Sequence, residues 1–224
     1  MSPKKQNLTI KRLMSESREF SALMSGMKHE NIIAVTDGKA IGTYIEHKFK
    51  YILTQKYTVT IGSSARGIDF PNREINTDMK TTSITQPQSS CPFKNARQKI
   101  FGLGYNLLLF VYQKDDNQEY NLKFLYTRFI DKSRTADYQT TRGLKEIIKR
   151  DGNADDIKAF LMDRRLPVDD IELENIAQEI LDNPLTIGYL TISNALQWRL
   201  QYSRVITLSK QINGIVRIYD RQLS

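Results

Sequence analysis

Two aspartates and a lysine lie close together in the stretch from Gly67 to Lys80, GIDFPNREINTDMK, which reads as a β-hairpin. Asp69 closes one short apolar run, and Asp78 and Lys80 sit two apart in the next. Successive side chains of a strand point to opposite faces. Asn76, Asp78 and Lys80 are therefore expected on one side, and Ile75, Thr77 and Met79 on the other. Two carboxylates facing one lysine can hold a divalent cation, because carboxylates are hard oxygen ligands.

The elements that must position these groups can be read on either side. From Asp37 or Gly38 to about Tyr57, apolar residues Ile41, Tyr44, Ile45, Phe49, Ile52 and Leu53 recur at three- and four-residue spacing, which predicts a helix. Gly38, Gly42 and Glu46 line one face of it, and the two glycines permit close approach to a neighbouring strand. Glu46 either points inward on that face, where a buried glutamate needs a reason, or lies in solvent and pairs with Lys50 at i+4. Thr58 to Ile61 reads as a short strand, Gly62-Ser63-Ser64 as a turn, Arg66 to Phe70 as a second strand, and Glu74 to Thr82 as a third, inner strand. A polar loop from Ile84 to Pro92 follows, then a helix from Phe93 to Phe101 with Lys94, Arg97, Gln98 and Lys99 available to phosphates. The nearly continuous apolar run Asn106 to Gln113 predicts a central strand buried on both faces.

Outside this region the patterns are simpler. A basic start leads into one or two helices with a stripe of Leu13, Phe20, Leu23, Met24 and Met27, which reads as core or dimer packing. Tyr120 to Ile130 alternates as a hairpin partner for the central strand, and Asp131 to Thr141 reads as a polar loop. Three helices are expected at Gly143 to Arg150, Asp155 to Met162 and Val168 to Leu181, the last opening on Asp169-Asp170, where carboxylates suit a helix N-terminus. Leu185 to Arg199 fits a helix or a strand, and Arg204 to Leu208 and Gly214 to Tyr219 read as terminal strands.

The length of 224 residues suits a single domain, 1–224, with room for a small subdomain, and 40% hydrophobic and 26% charged residues are ordinary for a soluble globular protein. No apolar run reaches membrane-spanning length and the polar N-terminus has no signal pattern, so a cytoplasmic protein without membrane partners is expected. The single cysteine, Cys91, excludes an internal disulfide and has no partners at metal-ligand spacing. Net charge is +8 and uneven: Asp151 to Asn183 holds ten acidic residues against three basic, which leaves 30 basic against 15 acidic elsewhere. That surplus favours a polyanionic partner, since neutralising phosphates releases counterions. The acidic segment is expected to face away from such a partner or to lie at a protein interface.

The order is helix with Glu46, strand, strand with Asp69, strand with Asp78-Met79-Lys80, helix, long apolar strand. It resembles the PD-(D/E)xK nuclease superfamily and, within it, type II restriction endonucleases. The likeness covers about residues 38–113, the expected catalytic core, and Pro71 follows Asp69 where the family pattern has a proline before it. The resemblance implies an α/β fold with a mixed central β-sheet flanked by helices, restriction-endonuclease-like, to which the chain adds a helical acidic segment at about 143–182. It implies a sequence-specific endonuclease that hydrolyses double-stranded DNA with Mg²⁺, leaving a 5′-phosphate and a 3′-hydroxyl, and a homodimer whose two sites cut both strands. Asp69 and Asp78, with the Met79 carbonyl, would bind the metal; Glu46 would bind a second ion or orient a water. Lys80 would position or help deprotonate the attacking water.

Base edges are read by amide and guanidinium groups. The loop Gln86-Pro87-Gln88-Ser89-Ser90 directly follows the catalytic strand and could enter a groove, with Lys94 and Arg97 on phosphates. Arg134, Tyr138, Arg142, Arg199 and Arg204 are secondary candidates for DNA contact. His29 and His47 lack partners at ligand spacing and read as surface residues, Trp198 reads as core or interface, and neither Gly62-Ser63-Ser64 nor Gly102-Leu103-Gly104 completes a phosphate-binding loop. Two rival functions remain compatible with the residues: a structure-selective or repair nuclease of the same superfamily, and a non-catalytic DNA-binding protein.

Overall fold

The run Asn106 to Gln113 offers water no polar face, so it has to be enclosed, and the computed structural model places every residue from Asn106 to Tyr112 in the interior. The structure describes residues 5–62, 67–91, 94–193 and 199–221. In chain order the elements are β1 (Gln6–Asn7), α1 (Ile10–Ser25), α2 (Gly38–Lys56), β2 (Tyr57–Thr58), β3 (Thr77–Ser83), β4 (Gln88–Ser90), α3 (Gln98–Phe101), β5 (Asn106–Lys114), β6 (Leu122–Ile130), α4 (Tyr138–Lys149), α5 (Ala154–Asp163), α6 (Asp170–Asp182), β7 (Thr191–Ile192), β8 (Arg199–Gln201), α7 (Ser203–Ile206) and β9 (Ile215–Asp220). They fall into two compact units, 1–89 with 106–130 and 210–224, and 90–105 with 131–209.

The first unit is built on a mixed four-stranded sheet of order β3-β5-β6-β9. β3 runs parallel to β5, with Thr77 opposite Asn106 and Ser83 opposite Tyr112, while β5 with β6 and β6 with β9 are antiparallel. Helices α1 and α2 cover the sheet. The rings of Phe20 from α1, Phe49 from α2, Phe110 from β5 and Phe124 from β6 meet with centroids 4.9 to 5.8 Å apart in tilted and edge-on pairs. Such pairs add to the burial of their area. Ser17, Ser21 and Ser25, a buried row of α1, return their hydroxyls to carbonyls one turn back. Being small, they let α1 approach β6, where Ser21 Oγ meets Thr127 Oγ1 at 2.7 Å and Ser25 Oγ accepts the Phe124 N–H at 2.8 Å. Leu23, assigned to the stripe by its spacing, points outward.

In the second unit α4, α5 and α6 bury Leu144, Ile157, Leu161, Ile176 and Ile180 against one another. Each starts on an acidic or amide cap: Asp137 accepts the Thr140 N–H, Asn153 the Asp155 and Asp156 N–H groups, and Asp169 the Glu172 N–H. β7 and β8 form a short antiparallel pair. The acidic segment expected at about 143–182 belongs to this unit. The 38–113 stretch is divided, with 90–105 in the second unit. Among the described residues no helix is long and apolar enough to cross a membrane.

Several boundaries differ from the sequence reading. The strand expected from Arg66 to Phe70 reduces to one bridge between Phe70 and Thr77, and Arg66 lies outside the described residues, as do Ser63, Ser64, Phe93 and Trp198. β3 is not an inner strand: it closes one end of the sheet, which explains why its polar Lys80, Thr81 and Ser83 can remain partly exposed. The helix expected over Phe93 to Phe101 is a single turn, Gln98–Phe101. α4 begins five residues before Gly143, because Asp137 caps it inside what read as a loop. From Leu185 to Arg199 the described residues contain the short strand Thr191–Ile192, the first residue of β8 and no helix. Ser203–Ile206 is a helical turn where β-branched residues suggested a strand.

Candidate active site

Asp69 is fixed from three directions by backbone. The Gly62 N–H donates to Asp69 O at 2.8 Å, and Phe70 and Thr77 exchange N–H···O bonds of 3.0 and 3.1 Å. Between them the chain reverses on Asn72, whose carbonyl accepts the Ile75 and Asn76 N–H groups at 2.9 and 2.7 Å. Asn76 takes φ +37°, a left-handed conformation that asparagine tolerates better than most residues. The reversal brings Asp69 Oδ2 to the Met79 N–H at 2.8 Å, tying the first arm to β3 between Asp78 and Lys80.

Gly62 has a defined part in this. A Cβ built there would lie 1.9 Å from Ile68 O, so no side chain fits without moving the segment that carries Asp69. Gly62→Ala is expected to leave the far-ultraviolet circular dichroism spectrum near wild type and, on the expectation that Asp69 serves DNA cleavage, to lower its initial rate about a hundredfold, the cost of a group misplaced by about 1 Å. Gly42 is less demanding: its closest neighbour, Thr81 Cβ, would stand 3.9 Å from an added methyl, an ordinary contact that fits the approach of α2 to β3 without requiring glycine.

Asp78 and Lys80 share a face of β3, with Lys80 Nζ 2.8 Å from Asp78 Oδ2. That contact lies outside hydrogen-bond geometry, and buried Asp78 Oδ2 accepts no hydrogen bond among the described residues. Burial pushes the Asp78 carboxyl up to about 7; Lys80 opposes the shift and the neighbouring Asp69 adds to it. Asp69 goes the other way: burial raises it, but hydrogen bonding from Lys50, Glu46 and Asp78 holds it below its ordinary value. Glu46 is raised, by burial first, with Lys50 opposing and Asp69 reinforcing. Asp69 is thus the member that stays ionised most readily, while burial holds Asp78 and Glu46 above their ordinary values.

Of the two readings of Glu46, the pairing with Lys50 is present, and the side chain keeps 33% exposure. Its partner Lys50, one turn on, also reaches Asp69 Oδ1 at 2.6 Å, which sets the pair against Asp69. Lys50 is the residue that sequence reasoning left out of the site; its i+4 spacing from Glu46 was the available signal. Among the described residues no three His, Cys, Asp or Glu side chains converge to cage a metal by themselves. The donor set still suits Mg²⁺, which takes one or two carboxylates and completes its shell with waters and substrate oxygens. Asp78 Oδ2 is buried with the Lys80 ammonium 2.8 Å away, and a coordinated ion would be a further ligand to it.

The expected DNA-reading residues are less uniform. Gln86 is exposed, and Thr82 pins its loop: Thr82 Oγ1 contacts Gln86 O at 2.9 Å and both backbone groups of Gln88 at 3.1 Å. Gln88 and Ser89 are half-buried, while Ser90 and Lys94 are exposed. Arg97 is not offered to phosphate. It pairs with Glu172 at 2.9 Å and with Glu179, and lies 5.0 Å above the Phe101 ring. Lys99 is buried, with its pKa lowered by that burial. Arg97→Ala is therefore expected to cost about 1 kcal/mol in denaturant unfolding. The slope of log affinity for DNA against log salt should stay unchanged, because no phosphate contact is lost.

Among the secondary candidates, Arg134, Tyr189, Tyr138 and Arg204 form a stack. Arg134 lies 5.9 Å from the Tyr189 ring, the two tyrosine rings are 5.8 Å apart, and the Arg204 guanidinium lies 3.6 Å from the Tyr138 centroid. Arg142 is exposed and pairs with Glu146, and Arg199 is exposed. His29 is not a surface residue: it is 1% exposed and its ring bonds Tyr44 Oη and Met24 O, which burial and the nearby Lys48 make a neutral structural role. Cys91 is buried with its sulfur 3.2 Å from Tyr105 Oη.

Comparison with known proteins adds an independent line. The family model described as type II restriction enzyme NspV matches residues 7–217. A curated relative from Nostoc sp. (strain ATCC 29411 / PCC 7524), named type II restriction enzyme NspV, is 55% identical over 215 residues, spanning 95% of this chain and 97% of the relative. No solved structure matches.

Proposed function

The chain belongs to the type II restriction enzyme NspV family, and we propose that this site-specific double-stranded DNA endonuclease cuts with Asp69, Asp78, Lys80 and Glu46 at one end of its central sheet, using Mg²⁺. The observation that carries the assignment is the meeting of Asp69 with β3: its Oδ2 accepts the Met79 N–H at 2.8 Å, which sets the two aspartates and Lys80 side by side.

Asp69 and Asp78, with the Met79 carbonyl, would hold the ion, and Glu46 flanks Asp69 through Lys50. When bound, Mg²⁺ lowers the pKa of a coordinated water and offsets charge developing on the phosphate oxygens. Lys80 stands beside Asp78, where it would orient the water that attacks in line with the leaving 3′-oxygen; the proton that water loses passes to solvent, and the departing 3′-oxygen takes one from solvent. The products are a 5′-phosphate and a 3′-hydroxyl. Gln86, Gln88, Ser89 and Ser90 are proposed to approach the bases, and Lys94 a phosphate. The Arg204–Tyr138 stack offers a second basic and aromatic surface in its own unit. A homodimer would supply one such centre for each strand of a symmetric site.

Incubating the purified protein with a long duplex of defined sequence and Mg²⁺, then sequencing the ends, tests the proposal. Discrete fragments with 5′-phosphate ends at one recurring sequence are expected. Random degradation would point to a structure-selective nuclease, and intact DNA in both Mg²⁺ and Mn²⁺ would overturn the assignment.

A further inference from the structure

Lys50 has no part in holding an ion between Asp69 and Asp78, yet its ammonium is the cation nearest to two of the three carboxylates. Glu46 and Lys50 lie one turn apart on α2, and the Nζ that contacts Glu46 Oε1 also stands 2.6 Å from Asp69 Oδ1. The Lys50 and Asp69 side chains are 16% and 14% exposed, so their contact is largely enclosed, while Glu46 is 33% exposed. Lys80 serves the other carboxylate, Asp78, at 2.8 Å. Each ammonium therefore occupies its own part of the cluster.

A carboxylate from a helix and a carboxylate from the segment that leads into the sheet, with a positive charge between them, is the arrangement that would receive a second divalent ion. Resting on the reading that Asp69 and Asp78 hold Mg²⁺, we propose that Lys50 is a built-in cation that fills the place of a second metal between Glu46 and Asp69, so that each chain binds one divalent ion.

Geometry and charge both support this. Mg²⁺ sits about 2.1 Å from its oxygen ligands. An ion sharing Asp69 Oδ1 with the ammonium would thus approach it to within about 5 Å in a site with little water to screen the two. With all three carboxylates ionised, as metal ligands must be, Glu46, Asp69 and Asp78 against Lys50 and Lys80 leave one net negative charge. One divalent ion reverses that balance, and a second would leave three positive charges before DNA binds. Without Lys50 the cluster carries two negative charges and has an open position between two oxygens.

Titrating Mn²⁺ into the metal-free full-length protein, with free Mn²⁺ followed by electron paramagnetic resonance, reads the stoichiometry without requiring cleavage. Wild type and Lys50→Arg are expected to bind one ion per chain, and Lys50→Ala two. Adding Glu46→Gln to Lys50→Ala should return the count to one. Lys50→Met, which keeps the aliphatic stem, carries the same expectation as Lys50→Ala should the alanine variant fail to fold. Two ions on wild type, or one or none on both Lys50→Ala and Lys50→Met, would overturn the inference. The Asp78→Asn variant separates this failure from a failure of the underlying site. Wild-type binding that survives Asp78→Asn, or no binding by wild type, would show that the Asp69–Asp78 assignment itself is wrong, and the inference with it.

Discussion

Replacing Lys80 with alanine is expected to lower single-turnover cleavage by two to four orders of magnitude while leaving affinity for the cognate duplex within about threefold. The size of the loss is that of one positioned group acting on the proton or orientation of a nucleophile, about 10² to 10⁴. Lys80 meets the geometric requirement: it is two residues from Asp78 on a strand, therefore on the same face, and its Nζ lies 2.8 Å from the Asp78 carboxylate. Affinity should change little, because binding is spread over many phosphate and base contacts. Loss of a single ammonium changes the salt slope by about one at most. Cleavage is measured with excess enzyme in Mg²⁺, and binding by gel retardation with Ca²⁺ in its place. A Lys80→Ala variant that cuts at the wild-type rate would show that the ammonium is a spectator paired with Asp78, and would move the search for the cleavage centre elsewhere.

The members of the cluster were legible because their spacing is local. Asp78 and Lys80 follow the alternation of a strand, and Glu46 follows the period of α2, whose apolar face Ile41, Ile45, Phe49 and Leu53 is buried as its pattern requires. The seven-residue buried start of β5 likewise dictated a strand enclosed on both faces. What escaped depended on partners far away in the chain. Arg97 resembles a phosphate contact until Glu172, 75 residues on, takes its guanidinium. His29 resembles a surface histidine until Asn121, 92 residues on, bonds its backbone N–H and carbonyl within the interior. Lys50 was visible as the i+4 partner of Glu46, but periodicity on one helix cannot say that Asp69 arrives from a different element to share it. The position of β3 at the end of its sheet was hidden for a similar reason. A polar strand reads as costly in the middle of a sheet and ordinary at its edge, and sequence does not order strands in space. At Ser203–Ile206, β-branched Val205 and Ile206 are carried in a helical turn that buries them both, so local preference yielded to packing.

Asp78→Asn is expected to inactivate the enzyme and, measured without divalent ions at pH 8, to make it more stable by roughly 2 to 4 kcal/mol. The Asp78 side chain is almost wholly enclosed, and burial pushes its pKa up to about 7, with Asp69 adding to the rise and Lys80 working against it. An aspartate in the unfolded chain titrates near 3.8. Between these two values the folded protein holds a proton that the unfolded chain has released, so stability falls as pH rises through that window. Above about 7 the carboxylate is charged in both states and the full penalty is present; below about 4 it is protonated in both and the penalty is gone. A rise from 3.8 to about 7 is worth about 4 kcal/mol, an upper bound for a group whose neighbours titrate with it. Asparagine keeps the shape and removes the charge. The variant's advantage in urea unfolding should therefore be largest at pH 8, shrink between about pH 7 and 4, and vanish near pH 4. Added Mg²⁺ should stabilise wild type and leave Asp78→Asn unchanged, because an ion that binds the folded state alone shifts the equilibrium toward it and the amide does not replace the carboxylate as its ligand. An Asp78→Asn protein no more stable than wild type at pH 8, or one whose advantage grows toward low pH, would mean that Asp78 is not held in the folded state at a cost in stability. The ion site would then have to be sought around Asp69 and Glu46.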